Sequence, residues 1–469
     1  MLPKINNPLN QKYFIIKFAL ISHLAMSFSF GAEDPKTSLD LITIFNLAEK
    51  NDPGLSSVRF ENQAAQELLP QGKALFLPTI VVNANINQNN VNRASETTFD
   101  PSLSYLGSNK TRYQSYGYGV LLKQPIINYE NYIQYQQNIL KLGISDKQLL
   151  QNKQELMYRV SQIYFDILLV KKQIDLYESQ KKAIQQQLLL AEAKFNAGLV
   201  SVADINEAKT KLTLIEAQII GIYQKLNIKK SEMQSIIGNF YFDVKSLRAD
   251  IQFVKSNDTI EKWENLALIN NLQIQLKQYE FQLAQNDIEL KKSGHYPTLN
   301  AFISSRENTS GGGFPYPNSL KNEGESLRTD AAGLELTIPI YSGGLTSSRV
   351  REAEANSNKA QENLDFTKKQ IEFNVRQHFS NMEVFFKQIN AYTESLNAAY
   401  NQLGSSELGF KEGLRNSAEV LNAQQTLFNT EKDLSEAKYN YLMSIIKLKY
   451  FSGLIKDSDL LEINQFLIN

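Results

Sequence analysis

A mainly α-helical, internally duplicated protomer that also carries membrane-type β-strands is the fold class this 469-residue sequence predicts. Three observations predict it. Residues 47–82 align with 266–301 and residues 195–240 with 410–455, each pair at a constant offset. Four short segments alternate apolar and polar residues. Two proline-free segments of roughly 70 residues carry apolar residues at heptad spacing. Two copies of a unit too long for a solenoid repeat imply a pseudo-symmetric chain whose halves do one mechanical job.

The duplication is visible residue by residue. Leu47, Ala48, Asn51, Pro78 and Thr79 recur as Leu266, Ala267, Asn270, Pro297 and Thr298. The stretch FNAGLVSVADINEA from Phe195 is set against FKEGLRNSAEVLNA from Phe410, and Gly238 answers Gly453. The first repeat is placed at 32–250 and the second at 251–469. Residues 1–31 read as a secretory signal peptide: Lys4 and Lys12 precede an apolar stretch from Phe18 to Phe30, and Ser29 and Gly31 supply small residues at the cleavage site.

Within the first repeat a helix is expected from Pro53 to Ala74, Pro being suited to a first turn. A strand follows at 76–88, with Ile80, Val82, Ala84 and Ile86 on one face and Asn83, Asn85 and Asn87 on the other. Its partner is expected at 112–124, with Tyr116, Tyr118, Val120 and Leu122 sharing a face. The second repeat matches with strands at 296–305 and 331–341, facing with Leu299, Ala301, Ile303, Leu334 and Leu336. The long helices are placed at 129–196 and 344–412, and the return helices at 202–238 and 417–453. The Leu156, Val160, Ile163, Ile167, Val170 and Ile174 seam begins a run of more than five heptads. His378 interrupts the matching seam and reads as a packed core residue. At about 1.5 Å per residue such helices reach on the order of 100 Å. A short helix end to end with a return helix matches one long helix, which gives a wall of uniform height.

Composition excludes several classes. The 49 basic residues balance the 49 acidic ones, so there is no excess of positive charge for nucleic acid. Three histidines and no cysteine leave no metal, nucleotide or nucleophile signature, and neither enzymatic activity nor a cofactor is expected. Past the signal no stretch has the roughly 20 apolar residues of a spanning helix, so entry into a membrane has to be by strands. Four strands cannot close a barrel, and an open edge in lipid costs several kcal/mol per unpaired amide. Copies must therefore pool strands: two copies give eight, three give twelve and a lumen. The competing reading is a periplasmic coiled-coil scaffold or adaptor protein without a membrane barrel, which explains the heptads but not the strands.

Over essentially its whole mature length the chain resembles the TolC family of outer-membrane efflux and type I secretion channels. The Pro78-Thr79 and Pro297-Thr298 strand starts, IPIYSGG at 338–344 and the two FxxGL turns carry the resemblance. It implies a homotrimer in the outer membrane of a Gram-negative bacterium: a 12-stranded β-barrel in lipid, continuous with a 12-helix coiled-coil periplasmic α-barrel. It further implies an equatorial belt from about 239–262 and the segment after Gly453, a periplasmic adaptor and an inner-membrane transporter as partners. In the family an arginine after the second turn bridges to an aspartate of the first and holds the inner mouth shut; Arg415 and Asp204 match those positions. A tyrosine that supports this latch is Phe410 here. Of two aspartate rings lining the mouth, Glu419 matches the first, whereas Asn422 stands at the second, so a trimer has half the carboxylates. Gly198, Leu199, Val200, Gly413 and Leu414 of the two turns are the expected adaptor contact. Independently of any resemblance, Asp204 and Glu419 suit helix first turns, where acids are stabilised.

Overall fold

The computed structural model describes residues 38–93, 109–238, 242–248, 251, 253, 258–311 and 325–467. The expected signal peptide at 1–31, the boundary at 250 and the tips of both strand hairpins lie outside these residues. Three short helices, α1 (Leu41–Asn51), α2 (Pro53–Gln66) and α3 (Leu68–Ala74), lead into strands β2 (Thr79–Arg93) and β3 (Asn109–Ile127). Then come the long helix α4 (Tyr129–Asn196) and its return α5 (Val202–Ile237). The second half runs α6 (Ile260–Asn270), α7 (Leu272–Lys292), β5 (Thr298–Ser310), β6 (Glu325–Thr337), α8 (Leu345–Lys411), α9 (Ser417–Phe451) and α10 (Asp457–Asn464). Two-residue strands β1 (Ser38–Leu39) and β4 (Asp243–Val244) pair in parallel beside the core.

Three sequence expectations are corrected. The single helix from Pro53 to Ala74 is broken at Glu67, because Pro70 has no N–H for the Gln66 carbonyl and its ring crowds that group. The strands β2 and β3 run past the alternating stretches, since a backbone ladder continues through Asn-rich sequence without an apolar face. In contrast β6 ends at Thr337 rather than 341: Pro339 cannot donate to a ladder, and Ile338, Ile340 and Tyr341 leave the sheet exposed.

The helices form a wall one layer thick. In its lower half the column order is α5, α4, α9, α8; in its upper half α2 and α3, α4, α7, α8. Thus α4 and α8 run the full height, whereas the columns between and beside them are each built of two helices meeting end to end. Both joints are closed by asparagine side chains: Asn51 Nδ2 donates to the Ile237 carbonyl at 2.7 Å, and Asn271 Nδ2 to the Phe451 carbonyl at 2.7 Å. Asp52 also caps α2 through the Leu55 N–H and pairs with Arg159 of α4 at 3.1 Å. Gly453 permits one of these close approaches. Its φ is 72°, and a Cβ there would lie 2.3 Å from the Asn270 carbonyl oxygen.

At the height of these joints the main apolar core gathers Leu41, Phe45, Val160, Tyr164, Met233, Ile237, Leu460 and Ile463 from α1, α4, α5 and α10. The buried Tyr164 hydroxyl donates to the carbonyls of Leu39 and Lys245 and ties β1 to β4. Below, Ile371, Val375, Met382 and Ile389 of α8 pack on Leu434, Ala437, Tyr441 and Leu448 of α9. His378 lies in this second seam, stacked on Phe451 with ring centroids 4.8 Å apart. Burial holds its imidazole down to about 4, with Lys447 adding to the effect, so it stays neutral near pH 7.

Candidate functional site

The upper end of the protomer is a four-stranded antiparallel sheet in the order β2-β3-β5-β6. Register puts Ile80 beside Leu122, Ile303 and Ala332, and Val82 beside Val120, Ser305 and Asp330. One row outward, Ala84 and Tyr118 align with Glu307 and Arg328. On this face the apolar residues are Ile80 to Ile86 and Tyr116 to Leu122 in the first hairpin, but Leu299 to Ile303 and Ala332 to Leu336 in the second. The apolar band therefore steps toward the helices as it crosses the sheet. An oblique band is what strands tilted by roughly 35–45° present to a bilayer. Its members Ile80, Val82, Ile86, Leu334 and Leu336 are exposed. The opposite face carries Asn83, Asn85, Arg306, Asn308 and the Lys123–Glu335 pair at 3.7 Å. Strands β2 and β6 are its edges, with bare backbone along 15 and 13 residues.

The lower end is formed by two turns, from α4 into α5 and from α8 into α9. Each helix closes on a glycine of positive φ, Gly198 at 74° and Gly413 at 76°. Leu199 N–H donates to the Lys194 carbonyl and Leu414 N–H to that of Gly409, the hydrogen-bond pattern of a left-handed helix stop. Leu199 is 71% and Leu414 82% exposed, with Val200 partly so. An apolar side chain thus crowns both turns.

Around the turns the side chains make their own contacts within the protomer. Asp204 Oδ2 accepts from the Ser201 N–H at 3.1 Å and meets its hydroxyl at 2.8 Å, completing a capping box on α5. Arg415 Nη1 donates to Ser406 Oγ at 2.8 Å, and Arg415 Nε lies 3.7 Å from Glu419 Oε2. The structure therefore engages Asp204 and Arg415 separately and does not join them inside one chain. Glu419 sits in the first turn of α9, which Asn416 caps. Asn422 Oδ1 accepts from Lys211 Nζ of α5 at 3.2 Å.

Phe410 is 3% exposed and faces a residue that sequence reading passed over. Lys194 Nζ lies 3.7 Å from the Phe410 ring centroid and donates to the Phe410 carbonyl at 2.7 Å. This ties the end of α4 to the end of α8 by a cation–π contact and a charged hydrogen bond. The duplication held the signal, since Lys194 aligns with Gly409. That glycine leaves the space in which Arg415 folds back, a Cβ there falling 3.0 Å from the arginine Cγ and Cδ. Also unread were the buried glutamines of α4. Gln173, Gln180 and Gln187, one per heptad, donate to Glu436, Gln425 and Ser417 of α9 at 2.8, 2.8 and 3.0 Å.

An open sheet with an oblique apolar band, continuous with a long helical wall that ends in apolar-tipped turns, is the build of an outer-membrane channel protein. Comparison with known sequences agrees. The family model described as "Outer membrane efflux protein" matches residues 44–239 and 263–454, and the chain belongs to that family. It is 26% identical over 451 residues to the proteases secretion protein PrtF of Dickeya chrysanthemi, covering 95% of this chain and 94% of that one. It is 26% identical over 435 residues to outer membrane protein TolC of Vibrio cholerae, covering 91% and 93%. Its fold matches the crystal structure of the outer membrane protein VceC from Vibrio cholerae with a TM-score of 0.70 at 14% identity, covering 88% of this chain and 96% of that one. The chain is an outer-membrane exit duct of the efflux and secretion type, with a large periplasmic portion.

Proposed function

We propose that three copies of the chain close into one 12-stranded barrel above a 12-column helical tube, and that the two turns form its inner mouth. The open sheet carries this reading. Its edges β2 and β6 expose backbone that lipid cannot satisfy, and pairing the β6 edge of one copy with the β2 edge of the next removes every edge at once. The flanks of the wall agree: Leu214, Ile220 and Ile228 of α5, and Phe366 and Phe373 of α8, are large, apolar and exposed in the single chain. Twelve columns spaced roughly 10 Å apart enclose a bore of roughly 28 Å once the helix thickness is subtracted. An unfolded polypeptide passes such a bore, and the relative named for protease secretion supports protein among the cargoes.

In this reading Leu199, Val200 and Leu414 are contacts for a periplasmic adaptor that couples the duct to an inner-membrane transporter. Arg415 of one chain reaches Asp204 of another in the closed trimer mouth, and Glu419 lines it with Asn422 beyond. No catalysis, cofactor or nucleic acid is involved. The test is the assembly in detergent. Light scattering should give three chains per particle, and planar bilayers should show discrete conductance steps. A monomer that carbonate strips from membranes overturns the proposal and favours the scaffold reading.

A further inference from the structure

The two hairpins of the sheet are copies of one another, so the seam inside one chain is a pattern for the seam between chains. Thr79 pairs with Lys123 in the first hairpin and Thr298 with Thr337 in the second, which matches Lys123 of β3 to Thr337 of β6. The sequence agrees, since Gly119, Leu122, Pro125 and Ile126 recur on that alignment as Gly333, Leu336, Pro339 and Ile340. At the interior seam β3 meets β5 with Leu121 opposite Ser304, Lys123 opposite Phe302 and Pro125 opposite Asn300. A bulge follows, and Ile127 then faces Leu299. The free edge β6 is thus a second copy of β3, and the free edge β2 a second copy of β5.

We infer that the seam between copies repeats the interior one residue for residue. Glu335 then stands opposite Asn85 of the next copy, Thr337 opposite its Asn83 and Pro339 opposite its Val81; past a bulge at Ile340, Tyr341 faces its Ile80. This register presupposes the closed ring of copies. It sets Leu334 against Ile86 and Leu336 against Ala84, so the apolar band crosses the seam unbroken, whereas a slip of one residue would set both leucines against asparagines. It also gives the stretch after β6 a partner. Ile340 is 91% and Tyr341 87% exposed in the single chain, while their counterparts Ile126 and Ile127 lie within β3, alongside β5. Pro339 does not block the seam. Gly311 N–H donates to the Gln114 carbonyl, which makes the even-numbered residues of β3 the ones hydrogen-bonded to β5 and turns the Pro125 nitrogen away from it. By the same alternation the Pro339 nitrogen points toward β5, where it ends the ladder within the chain, and leaves the outer edge free. The neighbour's β2 therefore lengthens β6 from Thr337 to Tyr341.

The natural chain has no cysteine, so a disulfide can form only at an introduced pair. In this register Glu335 and Asn85 are a non-hydrogen-bonded pair with Cα atoms about 4.5 Å apart, within disulfide reach. Inside one chain β2 and β6 are three strand spacings apart, about 14 Å, so the bond joins different copies. Both side chains are exposed, and their replacement leaves the fold intact. The full-length protein carrying Glu335→Cys and Asn85→Cys is oxidised with copper phenanthroline in nonionic detergent and run on denaturing gels. A covalent trimer should form at least about tenfold faster than with Glu335→Cys paired to Asn83→Cys or Asn87→Cys, whose Cα gap is about 7–8 Å. A slipped pair linking as fast, or no pair linking in particles that scatter light as three chains, overturns the register and leaves the ring standing. Particles that scatter as single chains overturn both. Tyr341→Cys with Ile80→Cys should link as well; failure there, with the first pair linked, overturns the extension of β6 past Thr337.

Discussion

Removing the charge at Lys194 should loosen the inner mouth. In the structure this ammonium makes two contacts to one residue, the Phe410 ring at 3.7 Å from its centroid and the Phe410 carbonyl at 2.7 Å. A hydrogen bond from a charged donor contributes about 1.5–3 kcal/mol and a partly exposed cation–π contact about 0.5–1 kcal/mol. Against these stands up to about 2 kcal/mol of rotamer entropy for holding a lysine still. The net is about 0–2 kcal/mol per chain, so at about 1 kcal/mol the open-to-closed ratio should rise roughly fivefold for each latch that acts on it. Lys194→Met keeps most of the stem and removes the charge; Lys194→Arg keeps a cation over the ring. In planar bilayers Lys194→Met should show a larger mean conductance or more frequent opening, and Lys194→Arg should stay close to wild type. Identical single-channel records for Lys194→Met and wild type, with the assembly intact, would refute the assignment of Lys194 to the latch.

Four further outcomes are expected. Arg415→Ser loses the contacts to Ser406 and Glu419 and should also raise conductance; a record matching wild type in planar bilayers counts against it. Gly453→Ala meets both a positive φ and the Asn270 carbonyl, so it should destabilise the fold by at least about 2 kcal/mol, read as a fall in the thermal midpoint. Leu334→Arg puts a charge on the lipid face and should cost about 2–4 kcal/mol, seen as loss of folded protein from outer-membrane fractions, whereas Arg at Asn85 on the opposite face should be tolerated. The imidazole of His378 is held below its unfolded value of 6.5, so the unfolded chain binds the extra proton first. Stability from this group is complete above pH 6.5 and is lost as pH falls toward about 4; His378→Phe should flatten that part of the profile in thermal melts.

The sequence revealed most where physical periodicity is strongest. The long helix α4 begins at Tyr129 and ends at Asn196, the limits placed on the proline-free heptad pattern. The apolar face of the sheet was equally legible, because alternation in a strand directly names a face. Strand ends were not, since β2 extends on backbone pairing through Asn89, Asn90 and Asn92, which carry no apolar signal. The break at Glu67 was written in Pro70 but masked by the amphipathic pattern around it. At the mouth, alignment of the two repeats found both turns and their glycines. It passed over Lys194 because the informative fact was a difference between the copies, lysine against Gly409. The α4–α9 contact was hidden for another reason: its glutamines look like solvent-facing residues until a second helix is laid over them.

The end-to-end joints of the short columns have a mechanical consequence. At both joints the helix-end carbonyls are held by side chains, Asn51 and Asn271, so a change of angle there strains amide contacts and leaves the main-chain ladders of α4 and α8 whole. Flexure of the post is therefore concentrated in a narrow waist, girdled by α1 and α10. A bulky passenger meets compliance at that one height, and the segments above and below can move as stiff staves.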